Sequence, residues 1–287
     1  MEIIIGKTAG FCFGVSNAVN KTSKEVENNK EVYCLGELVH NNQVNKDLQD
    51  KGLKIIDNIE SAKENVIIRS HGAIKSIYDK AKEMKLKVVD LTCPKVLKIH
   101  DIAKEYSKKG YYIFLVGKKT HPETIATISY CGENSEIVED IEQVKRSIIK
   151  FNKSNFKKLL IIVQTTFSIE KFNIIVKFIK NEIEIDKNII LEIKNTICDA
   201  TKARQNETEE LSKNVDMMII IGGKHSSNTN KLYDISKENC RNSILIEDAC
   251  ELNNEEIKKY NKIGIMAGAS TPKKSIDIVV EMIKKIC

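Results

Sequence analysis

Apolar runs of about four to seven residues alternate along the chain with amphipathic stretches of about ten to twenty, a pattern that predicts parallel α/β layers. Strands are expected at 3–6, 31–35, 65–68, 87–90, 111–116, 159–163, 189–193, 217–221 and 262–266, and nine strands suggest three groups of three. Short polar loops separate many of these strands from the helical stretch that follows. They include Val39-His40-Asn41, Arg69-Ser70-His71-Gly72, His121-Pro122-Glu123, Gln164-Thr165-Thr166, Ser226-Ser227-Asn228-Thr229 and Ala269-Ser270-Thr271-Pro272. In open α/β sheets this edge is where ligands bind. Taken singly, the serines, threonines and asparagines there are ordinary helix caps.

Their spacing says more. Three strands run into a turn with one cysteine, at Cys12, Cys93 and Cys198, and a loop residue falls 28 positions later each time, at His40, His121 and Ser226. A further loop falls 72 positions on in two cases, at Thr165 and Ser270, and 59 in the first, at His71. This layout implies a threefold internal repeat of about 80 to 105 residues. The expected modules are 13–94, 95–193 and 194–287, with strand 1–12 returning to the third. Pro94, Pro122 and Pro272 each stand where a loop enters a helix, which suits a fixed φ and a missing N–H.

Composition narrows the setting. With 287 residues and 41% hydrophobic content the chain can bury a substantial core. No apolar run approaches the roughly 20 residues that span a bilayer, and the start lacks the basic and apolar regions of a signal peptide, so a cytoplasmic protein without a membrane partner is expected. Eight cysteines in that setting point to metal binding, redox chemistry or packing rather than a disulfide framework. The net charge of +6 comes from lysines scattered beside acidic residues, with no basic run interleaved with aromatics. Nucleic acid is therefore not an expected partner, whereas a small anionic substrate is compatible.

If the modules pack about a pseudo-threefold axis with their loops inward, Cys12, Cys93 and Cys198 meet at one point. Zinc takes three cysteines and a water, but structural zinc sites use paired C-x-x-C spacing. Iron-sulfur clusters are held by thiolates, usually four for a four-iron cluster, and three leave one iron open to a substrate. Cys34, Cys131, Cys240, Cys250 and Cys287 are read as small buried hydrophobes. His40, His71 and His121 fall at corresponding strand ends, where imidazole N–H groups and helix N-termini favour an anion. Ser226, Ser227, Asn228 and Ser270 add neutral donors, while His100 and His225 are read as structural. Gly222-Gly223 lacks the spacing and lysine of a Walker loop. Glu123 is the natural proton donor, with Thr165 as relay; the plain alternative is a surface glutamate at a helix start.

These motifs, together with Ala9-Gly10-Phe11-Cys12-Phe13-Gly14-Val15, Thr92-Cys93-Pro94 and Cys198-Asp199-Ala200-Thr201, resemble in order those of the 4-hydroxy-3-methylbut-2-enyl diphosphate reductases. The resemblance covers the whole chain. It implies an α/β fold of three pseudo-symmetric parallel-sheet modules, arranged as a trefoil around a central iron-sulfur site. It implies a [4Fe-4S] cluster on Cys12, Cys93 and Cys198, with one iron not ligated by cysteine and open to the substrate hydroxyl. His40, His71, His121, Ser226, Asn228 and Ser270, with Ser227 nearby, would hold the diphosphate. Glu123, helped by Thr165, would supply protons. Reduced ferredoxin or flavodoxin would give two electrons, and an allyl anion would be protonated to isopentenyl or dimethylallyl diphosphate. Thr120, Thr124 and Leu97 depart from the family pattern without removing a ligand, which puts loop flexibility and product ratio in question. Quinolinate synthase shares the three-module, three-cysteine layout but not the His-Pro-Glu turn. An iron-sulfur or zinc regulator would need a partner surface or nucleic-acid motif that the sequence does not display.

Overall fold

The computed structural model describes residues 1–183 and 188–286. The strands among them are β1 (Glu2–Ile5), β2 (Val32–Leu35), β3 (Leu53–Ile56), β4 (Asn65–Ile68), β5 (Lys87–Asp90), β6 (Tyr112–Val116), β7 (Ser135–Val138), β8 (Lys158–Val163), β9 (Ile190–Ile193), β10 (Met217–Ile221), β11 (Ser243–Ile246) and β12 (Lys262–Ala267). The helices are α1 (Phe13–Asn28), α2 (Asn42–Asp50), α3 (Lys75–Glu83), α4 (Pro94–Lys108), α5 (Pro122–Ile128), α6 (Ile141–Lys153), α7 (Ile169–Ile183), α8 (Asp199–Ser212), α9 (Ser227–Asn239), α10 (Asn254–Ile257) and α11 (Lys273–Ile286).

The strands form three parallel four-stranded sheets with one repeated order: β3-β2-β4-β5, β7-β6-β8-β9 and β11-β10-β12-β1. Parallel α/β layers in three groups are borne out, but each group has four strands, not three. The unanticipated strands β3, β7 and β11 are the same edge strand in each sheet. Each is four residues long, with polar or half-exposed positions such as Lys54, Glu136 and Ser243. An edge strand buries little, so its hydrophobic period is faint.

The interior strands read as unbroken apolar runs because both their faces are covered. Phe114, Val116, Ile161 and Val163 pack with Phe151, Phe172 and Ile179 of α6 and α7, while Ile113, Leu115, Leu160 and Ile162 meet Ile99 and Ala103 of α4. Met217, Ile219 and Ile221 likewise face Ile276, Val279 and Ile283 of α11, and Met218 and Ile220 face Leu232 of α9. Each such side chain contributes about 1.5–3 kcal/mol by leaving water.

From β2, β6 and β10 the chain passes to the edge strand beside each one and then returns to its other side. The winding therefore reverses between β2 and β4, between β6 and β8, and between β10 and β12. The crevice beyond the carboxyl ends at such a reversal is the ligand position of open α/β sheets. The six loops leaving those strands carry His40, His71, His121, Thr165, Ser226 and Ser270.

By internal contacts the chain divides into two compact units. One comprises Met1–Glu27, Glu37–Leu53 and Asp199–Cys287; the other comprises Asn28–Gly36 and Lys54–Cys198. Cys34, Cys131 and Cys240 are buried, and burial pushes the Cys34 and Cys131 thiols up to about 12. Cys250 is exposed, against the expectation of a buried hydrophobe: it sits in the 3-10 turn Ala249–Glu251, where Ala249 and Leu252 take the apolar packing. Cys287 lies outside the described residues. His100 is buried on α4 and stacked on Tyr130, and burial lowers it to about 4, in keeping with a neutral structural histidine.

Candidate active site

In the unit built around β2 and β6, one continuous chain of contacts links Cys93 and Cys198. The Cys198 N–H donates to the Thr165 carbonyl (3.0 Å), and Thr165 in turn grips Glu123 twice. Its backbone N–H donates to Oε1 at 2.6 Å and its hydroxyl to Oε2 at 2.5 Å. The Glu123 N–H donates to Nδ1 of His121 (3.2 Å), so that imidazole caps α5 and carries its proton on Nε2. The His121 ring meets His71 edge-on with centroids 5.4 Å apart. Ser70, next to His71, accepts the Cys93 N–H at 3.0 Å. Pro94 at the first helical position and Cys93 at the cap fix where α4 begins.

Glu123 is only 2% exposed, so the plain reading of a surface glutamate does not hold. Burial pushes its carboxyl up to about 7, partly opposed by the two hydrogen bonds from Thr165, which favour the charged form. An acid that titrates near neutrality can both give up and recover a proton.

The other unit gathers Cys12, His40, Ser226, Ser227, Asn228 and Ser270. The Cys12 N–H donates to the Ala269 carbonyl (3.1 Å), and the neighbouring Ser270 hydroxyl donates to the His40 carbonyl (3.0 Å). Gly223 lets the His40 backbone approach the β10 loop, since a Cβ there would lie 2.4 Å from the His40 carbonyl oxygen. Close packing, and not a phosphate loop, explains the Gly222-Gly223 pair. Asn41 caps α2 through Val44 N–H (3.0 Å), and Ser226 caps α9 through Thr229 N–H (3.3 Å). Asn228 sits in the first turn of α9, 4% exposed, and among the described residues neither its Oδ1 nor its Nδ2 has a hydrogen-bond partner. A buried amide left open in this way costs about 1–3 kcal/mol, which a polar ligand would offset.

Cys12, Cys93 and Cys198 are half-buried, each following a strand and with its N–H bound to the loop of the adjacent strand. Soft thiolate donors on fixed backbone suit an iron-sulfur cluster, so the donor set fits that group. Gln164 was not singled out as a functional residue from the sequence. It is 1% exposed; its Oε1 accepts from Lys118 N–H (3.0 Å) and from the Thr124 hydroxyl (3.2 Å), and its Nε2 donates to Thr166 (2.8 Å). Its position at the end of an all-apolar strand was the available signal. Thr124 is thereby a tie between the Glu123 loop and the Thr165 loop.

Doubly wound parallel sheets with a buried acid and polar loops at their carboxyl ends define an α/β enzyme. The chain belongs to the LytB protein family, whose model matches residues 3–284. It is 43% identical to a 4-hydroxy-3-methylbut-2-enyl diphosphate reductase of Thermoanaerobacter sp. (strain X514), over 100% of this chain and 96% of the relative. The same figure holds for the enzyme of that name from Clostridioides difficile (strain 630), covering 100% of both. Among solved structures it is similar to E-1-hydroxy-2-methyl-but-2-enyl-4-diphosphate reductase from Plasmodium falciparum, with a TM-score of 0.89, 30% identity, and 98% of this chain and 87% of that one covered. A second, (E)-4-hydroxy-3-methyl-but-2-enyl diphosphate reductase, gives 0.71 at 38% identity, covering 99% and 100%. The chain is accordingly an oxidoreductase. No helix among the described residues is long and apolar enough to cross a membrane.

Proposed function

We propose that this chain reduces (E)-4-hydroxy-3-methylbut-2-enyl diphosphate to isopentenyl and dimethylallyl diphosphate. Two electrons and two protons enter, the hydroxyl leaves as water, and the second proton bonds to an allylic carbon. The observation that carries the reading is Glu123, buried, raised to about 7 and gripped by Thr165 at a winding reversal. Full-length identity to relatives bearing the reductase name supports the substrate. The division into modules 13–94, 95–193 and 194–287 with 1–12 belongs to the same reading.

Cys12, Cys93 and Cys198 would hold a [4Fe-4S] cluster, which supplies electrons and an iron not bound by cysteine. The remaining chemistry falls to this chain's side chains. His40, His71, His121, Ser226, Ser227, Asn228 and Ser270 bind and orient the diphosphate, with Asn228 bringing an amide that the protein itself leaves unbonded. His121 donates from Nε2, because Nδ1 is committed to Glu123 N–H. Protonated Glu123 donates to the Thr165 hydroxyl, whose own hydrogen then turns toward the leaving oxygen. Ferredoxin or flavodoxin, met in the cytoplasm, is the electron donor in this reading.

Turnover of the allylic diphosphate with a chemical reductant, under anaerobic conditions, tests the proposal. Formation of the two deoxygenated diphosphates is expected. Absence of reductant-dependent product, or quinolinate formation from its precursors, rejects it.

A further inference from the structure

The three cysteine turns are held in different ways. Two residues separate β5 from Cys93, and four separate β9 from Cys198. Each of these turns is closed from within. Asp90, three before Cys93, accepts from the Thr92 N–H (2.9 Å) and the Thr92 hydroxyl. Asn195, three before Cys198, accepts from the Ile197 N–H (3.1 Å), and the Thr196 hydroxyl bonds both polar groups of Val163. Such Asx turns supply their own geometry.

Six residues separate β1 from Cys12, and the position three before it is Ala9, which cannot close an Asx turn. Gly10 adopts φ +100 in this segment. The turn is instead held from α8. Glu207 accepts from the Lys7 N–H (2.6 Å), the Thr8 N–H (2.8 Å) and the Thr8 hydroxyl (2.5 Å). Arg204, one turn earlier on the helix and 4% exposed, donates from Nη2 to the Gly10 carbonyl (2.7 Å) and from Nη1 to the Ala200 carbonyl (3.0 Å). These charge-assisted bonds are stronger and more directional than neutral ones.

We propose that Arg204 and Glu207 are positioning residues for Cys12, a clamp on α8 that replaces the internal closure present at Cys93 and Cys198. The proposal rests on Cys12 being a cluster ligand. It assigns a role in holding iron to two residues remote in sequence from the cysteine they serve. Because α8 begins one residue after Cys198, the clamp also ties the Cys12 turn to the helix that starts there.

The test follows the three cysteines separately. Iodoacetamide alkylation of the metal-free chain, mapped by peptide mass, is compared for wild type, Arg204→Met, Arg204→Lys and Glu207→Gln; iron loss to a chelator is timed in the holoenzymes. Arg204→Met and Glu207→Gln should raise alkylation of Cys12 about tenfold, with Cys93 and Cys198 unchanged, and should speed iron loss. Arg204→Lys, which keeps one donor for Gly10, should recover most of the difference. Thr8→Val, a milder loss, should move Cys12 in the same direction and serves if Arg204→Met does not fold. An equal rise at all three cysteines, or none at Cys12, overturns the proposal. If the wild type holds no iron, the cluster reading fails, and the alkylation pattern of the metal-free chain still decides the clamp.

Discussion

Glu123→Gln separates the two things the carboxyl does. The amide fits the same place: Thr165 N–H still donates to its Oε1, and the Thr165 hydroxyl, turned round, accepts from its Nε2. What changes is the titration. The carboxyl moves from an ordinary value of 4.5 to about 7 on folding, roughly 2.5 pH units, or about 3 kcal/mol at ~1.36 kcal/mol per unit. Because the folded value is the higher one, the folded chain binds more protons between those limits. Its contribution to stability is present below pH 4.5 and is lost as the pH rises through 7. Gln carries no such penalty. Urea unfolding of the metal-free proteins at pH 5 and pH 8 should therefore show the variant gaining on the wild type by up to about 3 kcal/mol at the higher pH. Turnover should fall about 10²- to 10⁴-fold with KM changed little, the effect of removing a general acid. A fully active variant, or a stability difference that does not vary with pH, would refute the reasoning.

Other outcomes follow from the same geometry. Wild-type kcat/KM should fall as pH rises above about 7, where Glu123 of the free protein loses its proton, and a kcat/KM rising through pH 8 would contradict the acid's role. Asn228→Ala removes a buried amide that makes no hydrogen bond, so the melting point should hold or rise while KM for the diphosphate increases about tenfold; a destabilised variant with unchanged KM would deny the residue a binding role. Gly223→Ala forces a methyl against the His40 carbonyl and should cost about 1–3 kcal/mol in thermal unfolding, with KM raised as the His40 loop shifts. Thr124→Val deletes the hydroxyl that Gln164 accepts from, costing about 1 kcal/mol and lowering turnover far less than Glu123→Gln.

The layout was legible because single cysteines and loop residues recur at fixed intervals, and parallel sheets keep such intervals through divergence. The edge strands were not, because β3, β7 and β11 bury too little to leave a two-residue period. Glu123 was legible as an acid but not as a buried one: its depth comes from Thr165, 42 positions away. His121 read as a donor, yet one of its nitrogens is an acceptor, a choice made by the α5 N-terminus. Nothing in the local sequence marks Arg204 and Glu207, since their partners lie about 200 residues earlier in the chain.

The central claim is that Cys12, Cys93 and Cys198 together hold one cluster on which turnover depends. Anaerobic purification with iron and sulfide analysis of wild type and Cys93→Ser tests it most directly. About three to four irons with matching sulfide are expected per wild-type chain, with most iron and turnover lost in the serine variant. A wild type without iron and sulfide, or a serine variant with full activity toward the allylic diphosphate, would contradict it.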